Sequence, residues 1–372
     1  MERFKNRKTK PDYLLALAIF ALTMFGLIAI FSVSKYYSMQ ITNNASDKYF
    51  LTKQIIYVLI GLVFWFIAQS VDYRFWQKHS KNMLWITIVL ILLPLFFGFK
   101  DGGSGARWIN FGITTFQPSE LAKLTFIFYL AGWLGNKKTV SELNKLSIPF
   151  FLVVGLISVI MLVQKDLGTL SIFIGIAGAI FAMSGASLVN LFAGGALAGF
   201  LLWIAIKLEP YRLSRLTTFL NPSSDLLGSG YHIRNALIAI GSGGLFGLGF
   251  GQSKQKYLYL PEAHTDSIFA IIAEELGFLR TSLIILVICF IAWRGFLIAK
   301  RSPDSFSRLV AVGITSWFIW QSFVNIAAML SIVPLTGVPL PFVSYGGSSL
   351  IILLMASGIL INISKYGQRI RA

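Results

Sequence analysis

The 372-residue sequence carries little charge for its length. Only 13% of its residues are Asp, Glu, Lys or Arg, whereas 56% are hydrophobic. A soluble domain has roughly 25% charged residues, so the composition argues against a water-soluble core. Residues 167–206 contain no charged side chain at all. One helix of that length would measure ~60 Å, about twice the thickness of a bilayer core, so we expect a turn at residues 184–187.

Cysteine and histidine are also scarce. Cys289 is the single cysteine, which excludes an intrachain disulfide. The three histidines are scattered and give no zinc-binding pattern. The formal net charge of +17 is typical of many nucleic-acid-binding chains. Here, however, most Lys and Arg lie in short segments between apolar runs, as in membrane proteins, so we do not expect nucleic-acid binding.

Apolar blocks of membrane-spanning length predict an all-α, polytopic integral membrane protein that forms a single domain over residues 1–372. The first block is too long for a cleaved signal peptide and is predicted to be an anchor helix. About ten spanning helices are predicted, at residues 13–34, 54–70, 83–99, 118–135, 148–163, 167–184, 187–206, 267–292, 309–330 and 344–363.

The Lys and Arg distribution predicts the orientation. Ten spans place both termini on one side, which with loops 71–82, 136–147 and 293–308 holds 18 Lys and Arg, against 12 in the longer loops opposite. The positive-inside rule makes the first side cytoplasmic, so residues 207–266 form one large extracytoplasmic loop. Its aromatic and aliphatic residues predict short helices on the outer membrane surface rather than disorder.

Asp266 ends this loop, where the chain enters the next helix. One interpretation is structural: Thr265 or Asp266 caps the helix, since both types are good N-cap residues. The other is catalytic: a carboxylate at the mouth of an outward-facing cavity accepts a proton from a hydroxyl nucleophile. The two interpretations are compatible.

Two other charged pairs lie at or within apolar blocks, where ionisable groups are costly. Glu120 and Lys123 share a helix face at i,i+3 spacing. They form either an ion pair that holds helices together or a pair in which Lys123 contacts a phosphate. Lys165 and Asp166 occupy a tight connection, for which a salt-bridged turn is the simpler interpretation.

Glu274, Glu275 and Arg280 lie on the helix that follows Asp266. Glu274 is two turns beyond Asp266 and is expected to face the same cavity. Glu275 is an equally good partner for Arg280.

Two glycine-rich stretches interrupt the helical pattern. Residues 241–251 do not match the spacing of a dinucleotide-binding or Walker A loop, and we expect a tightly turning re-entrant or surface segment. Residues 338–349 contain Pro339 and Pro341 and break the chain before the last helix. Non-helical backbone at membrane depth must be buried in protein or line a wet cavity, and we expect it to line one.

These stretches together resemble the FtsW/RodA family, also called SEDS proteins, over nearly the whole chain. The matching stretches are Gly105–Ile109, Phe116–Lys123, Asp166–Thr169, Leu260–Asp266, Glu274–Gly277 and Pro339–Ser349. Residues 240–247 and 335–342 are closer to the division branch (FtsW) than to the elongation branch (RodA). The sequence departs from the pattern at two places: at Ser267, where the family often has Phe, and at the pair Arg280 and Thr281, where a small apolar pair is common.

The resemblance implies an inverting glycosyltransferase that polymerises lipid II, an undecaprenyl-pyrophosphate-linked disaccharide peptide, outside the bacterial cytoplasmic membrane. Asp266 then corresponds to the family's essential aspartate. Further candidates for substrate contact are the polar and aromatic residues of the matching motifs and two arginines of the large loop. They are Glu120, Lys123, Arg107, Trp108, Asp166, Glu262, His264, Ser344, Arg212 and Arg215.

Arg212, Arg215 and Lys123 are placed to offset charge on a departing pyrophosphate. For the two arginines, a helix resting on anionic headgroups explains the pattern equally well. No metal-ligand set is visible, although Mg²⁺ or Mn²⁺ would suit a pyrophosphate.

The resemblance implies that the protein works beside a single-span class B penicillin-binding protein, a transpeptidase, and other division proteins at the septum. Small residues of the later spans are candidates for that contact, namely Ala327, Ala328, Ser331 and Gly358. An elongation polymerase, a flippase or transporter for lipid II, and a non-catalytic scaffold are the alternatives.

Overall fold

The computed structural model describes residues 10–99, 106–112, 115–136, 147–208, 210–221, 225 and 228–367. This part of the chain contains fourteen α-helices, one 3-10 helix at Ser80–Asn82 and one two-stranded antiparallel hairpin. The helices are α1 Tyr13–Val33, α2 Lys35–Ile41, α3 Tyr49–Ser70, α4 Tyr73–His79, α5 Met83–Phe97, α6 Pro118–Gly135, α7 Ser147–Val163, α8 Leu167–Met183, α9 Leu188–Leu208, α10 Pro210–Leu220, α11 Ser229–Gly243, α12 Ile268–Arg301, α13 Ser305–Met329 and α14 Gly347–Ser364. The strands are β1 Ile109–Asn110 and β2 Thr115–Phe116.

All ten predicted helices are present, and the all-α membrane fold is confirmed. Among the described residues, six stretches are long and apolar enough to cross a bilayer: Tyr13–Val33, Tyr49–Ser70, Tyr73–Phe97, Ile268–Arg301, Ser305–Met329 and Gly347–Ser364. Shorter apolar helices occupy Ser147–Val163, Leu167–Met183 and Val189–Phe200. The predicted turn at 184–187 is also confirmed, because α8 ends at Met183 and Gly185 takes a φ of 89°.

The bundle has a central layer and a lipid-facing layer. Helices α6, α13 and α14 are buried over most of their length. The outer helices α1, α3, α5 and α7 expose large apolar side chains, such as Leu17, Val63 and Trp85. Such faces suit hydrocarbon rather than water.

Contacts at one end of the bundle bring the two ends of the chain together. The Arg294 guanidinium lies 2.6 Å from the Asp12 carboxylate, and the Asp12 amide donates to Ser364 Oγ. The Tyr73 hydroxyl donates to Asp304 at 2.6 Å. Residues near both termini, the start of α4 and the α12–α13 connection therefore share one end, as the charge pattern predicts.

The small residues suggested as a docking surface mostly serve packing within the chain. Ala327 and Ala328 are buried. A Cβ on Gly358 would lie only 2.5 Å from the Trp65 carbonyl oxygen, so this glycine permits close contact between α14 and α3. Only Ser331 of the four is partly exposed, and the proposed docking surface is wrong for the other three.

Helix α12 is broken at Gly277, whose φ of 76° and ψ of 177° lie outside the helical region. This conformation is essentially restricted to glycine. In a continuous helix the amides of Phe278 and Leu279 would donate to the carbonyls of Glu274 and Glu275. The break frees all four groups, and inside a membrane each must find another partner.

The glycine-rich loop after α11 supplies those partners. The bonds are Leu248 N to Glu274 O (3.0 Å), Gly249 N to Glu275 O (3.0 Å), Phe278 N to Gly244 O (2.8 Å) and Leu279 N to Leu245 O (3.2 Å). A Cβ on Gly277 would lie 2.2 Å from Gly247 N, and a Cβ on Gly247 would lie 2.2 Å from Glu275 O. The two backbones touch directly, which confirms the tight turning predicted for residues 241–251.

The break changes the direction of α12 at Gly277. Helix α12 rises ~36 Å from Arg301 to Gly277, and its antiparallel neighbour α13 rises ~30 Å from Ser305 to Asn325. Asn325 Nδ2 nevertheless donates to the Asp266 carbonyl at 2.7 Å. Residues 268–276 must therefore run across the bundle rather than farther along its axis.

We predict that Gly277→Ala and Gly247→Ala each lower the thermal stability of the detergent-solubilised protein. Each adds a Cβ that overlaps backbone atoms and forces a positive φ on alanine, a strain of about 1–3 kcal/mol before the overlap is counted. Gly241→Ala is the matched control, because a Cβ there meets no described atom within 4 Å. Equal melting temperatures for all three variants would contradict the close backbone contact.

Candidate functional site

Asp266 lies in a turn that precedes α12. The helix begins at Ile268, and its N-cap is Ser267. Ser267 closes the turn through two bonds: its amide donates to Glu262 O at 3.1 Å and its hydroxyl to Pro261 O at 2.9 Å. The predicted capping role of Thr265 or Asp266 is therefore wrong, because the turn ends one residue later and leaves the Asp266 carboxylate off the helix terminus.

The Asp266 carboxylate is partly exposed and has few donors around it. The Thr265 hydroxyl lies 3.3 Å from Asp266 Oδ1 and 2.7 Å from Glu262 Oε2, so the two carboxylates flank one hydroxyl. On the other side, a Cβ on Gly337 would lie 3.7 Å from Asp266 Oδ2. Desolvation in this recess, and next the negative charge of Glu262, raise the pKa of Asp266 to about 7.

One face of α13 links this turn to the bundle centre. Trp317, Gln321 and Asn325 recur every fourth residue and are all buried, so they lie along one stripe of the helix. Asn325 Nδ2 donates to the carbonyls of Asp266 and Val338. Gln321 Nε2 donates to the Pro339 carbonyl at 2.9 Å. The stripe therefore holds the backbone on both sides of the Asp266 recess.

Glu120 and Lys123 form the predicted ion pair. Lys123 Nζ lies 2.8 Å from Glu120 Oε2, and both side chains are buried. The ammonium also donates to Gln321 Oε1 at 3.1 Å and lies 4.6 Å from the centre of the Trp317 ring. Lys123 is 0% exposed, so in this conformation its charge is used to join α6 to α13.

The segment before α14 is buried in protein at residues 340–344, where the expectation that it lines a wet cavity is wrong. Leu340, Phe342 and Val343 are at most 3% exposed. Its backbone polar groups find partners among side chains: Ser344 Oγ accepts from Leu340 N at 2.8 Å, and Gln54 Nε2 donates to Ser344 O at 3.2 Å. Ser344, a candidate for substrate contact, thus holds the shape of this segment.

The loop between α5 and α6 contributes Arg107 and Trp108. Arg107 lies 3.8 Å from the Asp166 carboxylate and donates to the Lys165 carbonyl. Asp166 is the N-cap of α8 and accepts from the Thr169 amide at 3.1 Å. The tight turn at 165–166 is confirmed, and Arg107 supplies the cation beside its aspartate. Trp108 is half-buried, and its carbonyl accepts from Phe99 N.

The large loop brings Arg215 towards Asp266. Arg215 Nη1 donates to the Leu335 carbonyl at 3.0 Å, and its charge acts on both Asp266 and His232. Arg215 lies in α10 within the region where we expect short helices, and α11 is the second of these. Arg212 is in the same helix, but its side chain lies outside the described residues.

His264 faces an aromatic cluster rather than the Asp266 recess. Its ring lies 4.3 Å from that of Phe50, 4.7 Å from that of Tyr37 and 5.5 Å from that of Tyr345. Burial lowers the pKa of His264 to about 4, so the ring is neutral at physiological pH. Its carbonyl accepts from Tyr345 N at 2.9 Å, and it therefore helps to hold the turn in place.

Glu274 and Glu275 bind the 251–256 segment, contrary to both expectations for them. Lys256 Nζ lies 3.0 Å from Glu275 Oε1, and Ser32 Oγ donates to the same carboxylate at 2.9 Å. Glu274 accepts from the Lys254 amide at 2.9 Å. Arg280, the expected partner of Glu275, instead donates to the Phe246 carbonyl. The helix break separates Arg280 from the half-helix that carries the glutamates.

Several residues of this site were missed in the sequence. The four-residue spacing of Trp317, Gln321 and Asn325 in an apolar helix is a signal that a search for ionisable groups overlooks, since all three side chains are uncharged. Lys256 and His232 lie in the long loop and gave no local signal. In the described part of the chain, no three His, Cys, Asp or Glu side chains cluster in a way that holds a metal ion.

A family model and several known proteins match this chain over nearly its whole length. The family model described as Cell cycle protein (FtsW/RodA/SpoVE) matches residues 13–369. Stage V sporulation protein E of Bacillus subtilis is 40% identical over 367 residues, covering 98% of this chain and 99% of that protein. A Trichlorobacter lovleyi protein named probable peptidoglycan glycosyltransferase FtsW is 36% identical over 361 residues, covering 96% and 94%.

Solved structures show the same fold. A chain of a peptidoglycan synthase complex, studied for how polymerization and crosslinking are coordinated, aligns with a TM-score of 0.77 at 25% identity. The alignment covers 95% of this chain and 97% of that one. Rod shape determining protein RodA of Thermus thermophilus aligns with a TM-score of 0.69 at 25% identity, covering 96% and 98%.

We predict energetic coupling within the Glu120–Lys123 pair. Glu120→Gln or Lys123→Met alone leaves one buried charge without its counterion, which costs about 3–5 kcal/mol. The double variant removes both charges and should recover most of that loss. Thermal unfolding of the four proteins in one detergent gives the coupling energy. Strictly additive effects would show that the pair does not act as a unit.

Proposed function

The chain belongs to the FtsW/RodA/SpoVE family, and from that premise we propose that it polymerises lipid II into glycan strands at the outer face of the bacterial cytoplasmic membrane. The supporting observation is Asp266. Its carboxylate has a pKa of about 7, a value suited to general-base catalysis near neutral pH. It occupies the far end of the bundle from the cluster formed by Asp12, Arg294 and Asp304.

The proposed reaction is a single displacement. The Asp266 carboxylate accepts the proton of the 4-hydroxyl of an acceptor GlcNAc. The hydroxyl oxygen forms a bond to C1 of the donor MurNAc as the C1–O bond to the polyprenyl pyrophosphate breaks. Attack from the face opposite the leaving group inverts C1. The pyrophosphate departs with the bonding electron pair and stays attached to its lipid.

Arg215 is the best placed of the proposed cations to offset charge on the leaving pyrophosphate. Its charge acts on Asp266, and its side chain is partly exposed. Lys123 is fully buried against Glu120, Gln321 and Trp317, so we assign it the role of joining helices. Glu262 flanks Asp266 and tunes its ionisation. The contact between Arg107 and Asp166 holds the loop between α5 and α6 against the start of α8.

The outward orientation follows from charge. The end that contains Asp12, Arg294 and the start of α4 belongs to the more basic side, which the positive-inside rule makes cytoplasmic. Sugar nucleotides stay in the cytoplasm, so an outward-facing transferase requires a donor that a lipid has already carried across. Polyprenyl pyrophosphate provides both the anchor and the leaving group.

Purified protein and lipid II test this function against the alternatives. Glycan polymer formed in detergent supports the polymerase. Translocation of lipid II across vesicles without polymer would support a flippase. If the protein neither polymerises nor translocates lipid II, the scaffold alternative is supported.

We propose a role in cell division because residues 240–247 and 335–342 are closer to the division branch (FtsW) of the family. Its relatives also include a sporulation protein, so restoration of septation, but not of rod elongation, in depleted cells is the test of that role.

We also propose a class B penicillin-binding protein as the partner, since a polymerase that builds cross-linked wall needs a transpeptidase beside it. The similarity to a chain of a peptidoglycan synthase complex supports this. Co-purification and a higher polymerisation rate on adding the transpeptidase are expected. An unchanged rate and no complex would show that the chain works alone.

Asp266→Asn should reduce polymerisation at least ~10²-fold, because general-base catalysis contributes 10²–10⁴-fold and an amide accepts no proton. Folding should be unaffected, since Asn keeps an oxygen for Thr265 and Asp266 does not cap α12. Lipid II polymerisation and the melting temperature are measured on the same preparation. A variant that retains more than about a tenth of the rate would refute the base assignment.

Glu262→Gln should move the acid limb of the kcat/KM profile to lower pH. Asp266 must be deprotonated to act, so activity rises as pH passes its pKa of about 7. Glu262 contributes to that raised pKa through its negative charge, and removing the charge lowers it. Because desolvation is the larger cause, the limb should stay above the ordinary aspartate range. Glu262→Asp, which keeps the charge, is the control and should shift the limb less.

A further inference from the structure

His232 on α11 contacts the turn that carries Asp266. Its Nε2 lies 2.6 Å from Ser267 Oγ, a short hydrogen bond. Ser267 is completely buried and already closes the turn through Pro261 and Glu262. The imidazole therefore joins α11 to the residue that closes the turn.

The direction of this bond follows from counting hydrogens. The Ser267 hydroxyl has a single hydrogen, and the Pro261 carbonyl, which can only accept, receives it. The imidazole must therefore donate from Nε2–H. Burial lowers the pKa of His232 to about 4, with the Glu262 carboxylate opposing this and Arg215 adding to it. The neutral ring then carries its one hydrogen on Nε2.

We propose that His232 is a positioning residue for Asp266: its Nε2–H holds the Ser267 hydroxyl, and Ser267 holds the turn in which the Asp266 carboxylate is presented. The effect on catalysis rests on the proposed function, whereas the hydrogen bond does not. The pair also gives a role to Ser267, at which the sequence departs from the family pattern.

The proposal predicts how rate depends on donor position. The Gln amide nitrogen is separated from Cα by as many bonds as histidine Nε2, whereas the Asn nitrogen is one bond closer. His232→Gln should therefore keep most of kcat. His232→Asn, His232→Met and Ser267→Ala should each lower kcat ~10-fold or more, since misplacing a catalytic group by about 1 Å can cost 10²-fold. The KM for lipid II should change little, because no substrate contact is removed.

The double variant His232→Met/Ser267→Ala should be no slower than either single variant, because both changes remove the same hydrogen bond. Equal rates for the Gln and Met variants, or multiplicative losses in the double variant, would overturn the proposal.

The second measurement does not depend on activity. With only three histidines in the chain, ¹⁵N-histidine NMR of the protein in nanodiscs can resolve His232, assigned by its loss in His232→Gln. A protonated Nε2 and a bare Nδ1 are expected, with a shift of the Nε2 signal in Ser267→Ala. A ring protonated on Nδ1 would overturn the proposal even if the chain polymerises lipid II. The expected tautomer in a protein that forms no polymer would leave the positioning contact standing and refute the proposed function.

Discussion

The structure depends on how four backbone groups are satisfied where α12 breaks. A membrane offers no water to a freed amide or carbonyl, and each unsatisfied group costs several kcal/mol. The 244–249 loop meets the break at Gly277 with two donors and two acceptors in register. Glycine at 247 and 277 is what lets the two backbones come close enough. At the break, the loop and the helix are therefore joined directly by backbone hydrogen bonds.

This contact between the loop and the helix helps to place Asp266. The half-helix 268–276 crosses the bundle, and its polar residues are held from the loop side by Lys256 and from α1 by Ser32. From the other side, Asn325 holds the Asp266 backbone. The carboxylate itself has few donors nearby and a second carboxylate beside it, so its proton affinity rises. A rigid surround with a weakly solvated carboxylate is what a general base requires.

Much of this arrangement could be predicted from sequence because it follows from local patterns. Apolar block lengths gave the ten helices, glycine and serine gave the turn after Met183, and i,i+3 spacing gave the Glu120–Lys123 pair. The partner of Glu275 was missed because loop position says nothing about which cation reaches a buried carboxylate. Arg280 is near Glu275 in the sequence, but the break at Gly277 lies between them and separates their side chains.

Two further errors have the same physical origin. Asp266 and Thr265 are residue types that favour the N-cap position. The helix, however, starts only after the last hydrogen bonds of the turn, and Ser267 makes those bonds. The segment around Ser344 was expected to be wet because its backbone is irregular. Side chains from distant helices, such as Gln54 and Gln321, supply its hydrogen bonds instead. Long-range satisfaction of backbone groups has no local sequence signal.

The most direct test of this account is amide hydrogen exchange at the break in the intact protein in nanodiscs. Exchange at Phe278, Leu279, Leu248 and Gly249 reports on whether the loop and the helix satisfy one another. The account predicts that these four amides exchange as slowly as those in the middle of α13. Fast exchange at Phe278 and Leu279, with the flanking turns of α12 still protected, would show that the break is open and that the loop does not position Asp266.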